Sequence, residues 1–133
     1  MTDPSEVRVL VTEDSKTIRG FLCRQVRACL PGAVLVECEH GDQAMEHLGR
    51  GPVNLVITDL QMPRLGGEAF LLGAQSQGLL GGCAVIVISS AITPKVRSTL
   101  AGIGRLSFLR KPATGEDVSL AIKALGIEGG VLA

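Results

Sequence analysis

Five short runs of apolar, largely β-branched residues recur along the chain, and each is followed by a segment with helical spacing. The runs are VRVLVT (7–12), AVLVEC (33–38), VNLVIT (53–58), CAVIVIS (83–89) and LSFL (106–109). They are short, mostly continuous rather than alternating, and bounded by turn residues, so each reads as a strand buried on both faces. From Ser15 onward Ile18, Leu22, Val26 and Cys29 fall at helical spacing, stopped by Pro31-Gly32. Helices are also predicted over 41–48 and about 68–77, the second ended by the glycine-rich GLLGG (78–82). Thr93-Pro94 gives a cap followed by Pro at the first helical position, with Val96, Leu100 and Ile103 turned inward. Thr114 caps the last helix, which places Val118, Ile122 and Leu125 on one face.

Covered strands alternating with amphipathic helices imply an α/β fold with a parallel sheet and helices on both faces. Right-handed crossovers make this an open, doubly wound five-stranded sheet, (βα)5. At 133 residues the chain is one domain on length and is far short of a (βα)8 barrel.

Thirteen basic residues balance thirteen acidic ones, so no net field points to nucleic acid or to an anionic membrane. No apolar run reaches the length of a membrane span, and the start Met1-Thr2-Asp3-Pro4 lacks the pattern of a signal peptide, which leads to an expected cytoplasmic location. Cys23, Cys29, Cys38 and Cys83 have no metal-ligand spacing and sit in apolar segments, so they read as buried thiols rather than zinc ligands or disulfides. His40 and His47 match no ligand motif. The glycine-rich 78–82 segment lacks a nucleotide-binding pattern and reads as a loop.

In sheets of this kind ligands bind beyond the carboxyl ends of the strands. There this sequence places Glu13-Asp14 after the first strand, Asp59 after the third, Ser89-Ser90 at the end of the fourth, and Lys111-Pro112 after the fifth. Any one alone is an ordinary turn residue; together they put three acids, hydroxyls and an amine on one rim. Carboxylates so placed repel unless a positive charge lies among them. Hard oxygen donors suit Mg²⁺, and Lys111 suits a phosphate oxygen. Phosphoryl transfer onto Asp59 fits that combination.

The chain resembles the response-regulator receiver domains of two-component systems. The resemblance rests on the acidic pair Glu13-Asp14, on Asp59…Met62-Pro63…Gly67, on Ser89, and on Lys111-Pro112 within FLRKP, and it covers about residues 6–126. Residues 1–5 and 127–133 are then short tails. By resemblance the strand order is 2-1-3-4-5. The resemblance implies that Asp59 is the phosphoacceptor, that Asp14 and Asp59 bind Mg²⁺ directly, that Gln61 supplies its backbone carbonyl and that Glu13 holds metal-bound water. It likewise implies that Ser89 and Lys111 contact phosphoryl oxygens and that Phe108 matches the switch aromatic. A histidine kinase or phosphotransfer protein is the implied donor. A downstream protein is the implied target, through the face made by the fourth helix, fifth strand and fifth helix. The chain is expected as a monomer or weak homodimer, with no direct nucleic-acid contact and no membrane insertion.

Three departures stand out: Ser90 where Ala or Gly is frequent, Phe108 where Tyr is frequent, and Ile103-Gly104-Arg105 before the fifth strand. Two other readings compete. A haloacid-dehalogenase-type phosphatase also uses a strand-end Asp, but it needs a second Asp where this chain has Gln61. A degenerate receiver acting as an unphosphorylated scaffold usually lacks an acid or the Lys. The chain is therefore expected to be a signalling phosphoacceptor rather than an enzyme. Output is expected through protein contact, or through a further domain joined at Gly129-Gly130. On the last helix Leu120 and Ala124 lie opposite the core face, with Ile127 extending that outer stripe if the helix continues. Leu120 is thus a candidate interface residue.

Overall fold

Alternation along the first strand sets the layers of the molecule. In β1 (Arg8–Thr12) Val9 and Val11 point to one side of the sheet and Leu10 to the other, and all three are buried. The structure, a computed structural model, describes residues 6–128 and 131–132. After β1 come α1 (Lys16–Cys29), β2 (Val34–Cys38), α2 (Gly41–Arg50), β3 (Leu55–Thr58) and α3 (Gly67–Ser76). The chain continues through β4 (Ala84–Ser89), α4 (Pro94–Thr99), β5 (Arg105–Arg110) and α5 (Gly115–Ala124). The five strands form one parallel sheet in the order β2-β1-β3-β4-β5, as the resemblance implied.

Val9, Val11, Leu55, Ile57, Ile86 and Ile88 pack with Leu22 and Val26 of α1 and Val118 and Ile122 of α5. On the other side Leu10, Val56, Val85 and Val87 pack with Ala44 and Leu48 of α2 and Phe70 and Leu71 of α3. The central strands β3 and β4 are buried at every position because both their faces are covered. Among the described residues no helix is long and apolar enough to cross a membrane.

Local chemistry starts the helices where the sequence predicts. Ser15 caps α1 by accepting from the Ile18 amide, and Thr93 caps α4 with Pro94 next. Thr114 and Asp117 form a reciprocal capping box at the start of α5. Helix α4 is short and holds no buried residue of its own, so Leu100 and Ile103 just beyond it anchor that segment, with Val96 half-buried. Cys29, expected on the core stripe of α1, is half-buried while Leu30 beyond it is buried. All four cysteines are free thiols.

The C-terminal boundary differs from expectation. Helix α5 ends at Ala124, and Gly126 adopts φ +79, a left-handed conformation that turns the chain back. Ile127, expected in a tail or on the outer stripe, instead begins β6 (Ile127–Glu128), which pairs antiparallel with β7 (Val131–Leu132). Its side chain is buried in the α1–α5 core, so the packed unit extends past residue 126. Apolar burial outweighed the helical register once the glycine let the chain reverse. The predicted tail 1–5 and the Gly129-Gly130 junction lie outside the described residues.

Candidate functional site

The strand ends converge because parallel strands in register deliver their C-terminal residues to one edge. Thr12 of β1 is paired with Thr58 of β3, so Glu13 and Asp59 emerge side by side one residue later. The Glu13 amide donates to the Cys38 carbonyl at 3.0 Å and the Asp59 amide to the Thr12 carbonyl at 3.2 Å, which extends the ladder to the acids themselves. Glu13 is only 1% exposed and Asp59 6%, while Asp14 is exposed.

Lys111 reaches into this group from beyond β5. Its Nζ donates to Glu13 Oε1 and to Asp59 Oδ2, both at 2.6 Å. The other Asp59 oxygen, Oδ1, accepts from the backbone amides of Leu60 at 2.6 Å and Gln61 at 3.2 Å. Burial acts to raise the Asp59 pKa, but Lys111, the Ser89 hydroxyl and the Gln61 amide together hold it below the usual carboxylate value. For Glu13 burial prevails over Lys111 and, with Asp14 beside it, pushes the carboxyl up. Burial works against the Lys111 charge, yet its bonds to Asp59 and Glu13 carry its pKa above the ordinary lysine value. Two neighbouring carboxylates are thus pushed apart, with Asp59 favouring the ionised form.

One oxygen of each of Glu13, Asp14 and Asp59 lies within 4.8 Å of the others. Glu13 Oε2 is buried and has no hydrogen-bond donor among the described residues. A buried acceptor left unpaired costs about 1–3 kcal/mol, so the site favours a donor or cation there. All the candidate ligand atoms are hard oxygens, and exposed Asp14 leaves one side open to water. That donor set fits a Mg²⁺ ion that keeps part of its hydration shell.

Ser89 is fully buried at the end of β4, and its Oγ accepts from the Ala91 amide at 3.1 Å. Exposed Ser90 donates to the side-chain carbonyl of Gln61 at 3.4 Å, so both side chains stand at the mouth of the site. Gly67, the first residue of α3, packs against the segment that carries Asp59: its amide donates to the Leu60 carbonyl at 3.0 Å. A Cβ on Gly67 would lie 1.9 Å from the Asp59 carbonyl oxygen, so only glycine lets α3 approach the end of β3 this closely.

Phe108 is half-buried in β5 against the core that holds Val85 and Val87, and the Arg97 guanidinium of α4 stacks over its ring at 4.8 Å from the centroid. Leu120 is 56% exposed on the outer side of α5, as the helical phase predicted. The sequence reading missed one residue of the site, Arg19. Its guanidinium donates through Nη1 to the Glu13 carbonyl at 2.8 Å and through Nε to Glu37 at 3.1 Å. A signal was present, because Arg19 shares the helix face of Leu22, Cys23 and Val26, where a charge is out of place.

The family model described as "Response regulator receiver domain" matches residues 9–123. A probable chemotaxis protein CheY of Rhizobium etli is 26% identical over 125 residues, covering 94% of this chain and 96% of that one. The two-component response regulator ORR6 of rice (Oryza sativa subsp. japonica) is 31% identical over 116 residues, covering 86% of this chain and 68% of that one. The chain spans only 16% to 31% of the length of several larger curated relatives, sensor kinases and protein-glutamate methylesterases. Among solved structures, the Vibrio cholerae chemotaxis protein CheY4 superposes with a TM-score of 0.79 at 18% identity, over 90% of this chain and 98% of that one.

Proposed function

This chain belongs to the response regulator receiver domain family, and from that premise we propose that Asp59 is its phosphoacceptor, served by Lys111 and Ser89. The observation that carries the assignment is the double contact of Lys111, 2.6 Å from both Glu13 and Asp59 at the rim where the strands end. The Asp59 carboxylate, held ionised, attacks phosphorus in line. A new O–P bond forms as the bond to the donor breaks, and the electron pair leaves on the donor atom, a histidine nitrogen when the donor is a kinase or phosphotransfer protein. Lys111 exchanges one of its carboxylate contacts for a phosphoryl oxygen, and the Ser89 hydroxyl donates to another.

Asp14 and Asp59, with the Gln61 carbonyl, are the proposed direct Mg²⁺ ligands, and Glu13 Oε2 the acceptor for metal-bound water. When bound, the ion would neutralise charge on the phosphoryl oxygens. The chain acts in this reading as a phosphorylated switch in the cytoplasm, promoting its own phosphorylation and dephosphorylation, and not as an enzyme on a separate substrate. Its output is control of a protein partner docked on the α4–β5–α5 face around Leu120, by a monomer or weak homodimer. Exposure of Leu120 on α5, the helix that packs beside the strand carrying Phe108, favours this face.

Incubation with acetyl phosphate or phosphoramidate tests the assignment. Labelling is expected with Mg²⁺, and is expected to vanish in Asp59→Asn and in excess EDTA. Undiminished labelling under either condition overturns it.

A further inference from the structure

A guanidinium buried against the carbonyl of a metal-site residue needs an explanation beyond helix stability. Arg19 lies on the core face of α1, with its side chain 11% exposed. Surface positions were open to it on the same helix, where Arg24 and Arg27 are exposed. Instead its Nη1 donates to the buried Glu13 carbonyl at 2.8 Å, while Nε is held by Glu37 of β2 at 3.1 Å.

The consequence is for the direction of the acids. The Glu13 residue is tied on its N-terminal side by its amide to Cys38 and on its C-terminal side by Arg19. The next peptide leads to Asp14, and Ser15 then caps α1 through its side chain. Glu13, Asp14 and Ser15 therefore lie between fixed points, and Arg19 supplies the only side-chain hydrogen bond to the peptide linking the two acids among the described residues. Rotation of that peptide would re-aim Asp14, the acid that follows it, relative to Glu13 and Asp59. Arginine suits the task because its planar fork can hold two acceptors at a fixed angle, which lysine cannot.

We propose that Arg19, oriented by Glu37, is a positioning residue that fixes the Glu13–Asp14 peptide and so places Asp14 against Glu13 and Asp59 for the divalent cation. The proposal rests on the reading of Glu13, Asp14 and Asp59 as the metal site. Groups that orient ligands in this way typically change metal affinity by about 10- to 100-fold when removed.

The test is a Mg²⁺ titration of the full chain followed by the backbone amide NMR shifts of Asp14 and Asp59, with no phosphodonor present. Arg19→Met is expected to weaken binding at least about tenfold, with Arg19→Lys intermediate and Glu37→Ala weakened by a smaller factor. Phosphorylation by acetyl phosphate should need correspondingly more Mg²⁺ while its rate at saturating Mg²⁺ stays close to that of the wild type. Val26→Ala, a core truncation on the same face of α1, is expected to lower stability and leave the affinity unchanged. Equal Mg²⁺ affinity in wild type and Arg19→Met overturns the proposal, as does an equal loss in Val26→Ala. Should Arg19→Met not fold, wild-type affinity in both Arg19→Lys and Glu37→Ala overturns it. Failure of the wild type itself to bind Mg²⁺ overturns the metal reading, and this proposal with it.

Discussion

Adding one methyl group at Gly67 is expected to damage both stability and phosphorylation. The new Cβ would stand 1.9 Å from the Asp59 carbonyl oxygen and 2.9 Å from Leu60 Cα, both backbone atoms without a rotamer to escape into. Separation to the ordinary contact range of about 3.5 Å requires α3 and the end of β3 to part by more than about 1 Å. Overpacking of this kind costs about 1–3 kcal/mol, and weakening the Gly67 amide bond to Leu60 adds about 1 kcal/mol. The reduced freedom of the unfolded chain returns about 0.4–1 kcal/mol. The net expectation is a loss of about 1–3.6 kcal/mol, or about 4–13 °C in Tm at about 2.1 cal/mol/K for each of the 133 residues. Because the displaced atoms belong to the acceptor and its neighbour, the Leu60 amide would also leave Asp59 Oδ1, and labelling by acetyl phosphate should slow. Gly49 is the matched control. It also lies in a helix, has nothing within 4 Å of a built Cβ, and Gly49→Ala is expected to gain about 0.5–1 kcal/mol. Urea and thermal unfolding followed by circular dichroism read both variants. A Gly67→Ala protein within about 0.5 kcal/mol of wild type, labelled at the wild-type rate, would refute the reasoning.

Three further outcomes are expected. Ser89→Ala should still accept phosphate but lose the rise in partner affinity on phosphorylation, since a ligand shifts a conformational equilibrium only through differential contacts; equal partner binding by phosphorylated wild type and variant counts against this. Leu120→Arg should keep the fold and Asp59 labelling while weakening partner binding or self-association, measured by calorimetry or sedimentation; unfolding would mean Leu120 is core, and normal binding and association would mean it is idle surface. In metal-free buffer the raised folded pKa of Glu13 makes its contribution fully present below the unfolded value of about 4.3, and lost as pH rises through the folded value. Asp59, with its pKa held down, contributes above about 3.9 and loses that contribution as pH falls through its folded value. Urea unfolding between these limits and neutrality should therefore show Glu13→Gln gaining stability relative to wild type as pH rises, and parallel curves would contradict the assignment.

Much of this protein was legible along the chain because the deciding interactions are local. Continuous β-branched runs between amphipathic segments demand covered parallel strands, and Ser15, Thr93 and Thr114 cap their helices through bonds to residues three positions on. Strand ends in such a sheet share one rim, so Glu13, Asp14, Asp59, Ser89 and Lys111 could be gathered from sequence alone. Their working arrangement could not, because Lys111 meets Glu13 across 98 positions and Asp59 across 52. Which carboxylate is buried, which is open to water and which way each pKa moves depend on packing around that contact. The same is true of Gly67, whose need for glycine arises from the Asp59 backbone against it, and of Arg19, whose partners lie just past β1 and in β2. Ile127 looked like tail because nothing in its neighbours marks it as buried; the turn at Gly126 and the space between α1 and α5 decided otherwise. Backbone propensity and capping act over a few residues and are written in order along the chain. Close packing and the balance between desolvation and ion pairing act between residues that only the folded sheet brings together.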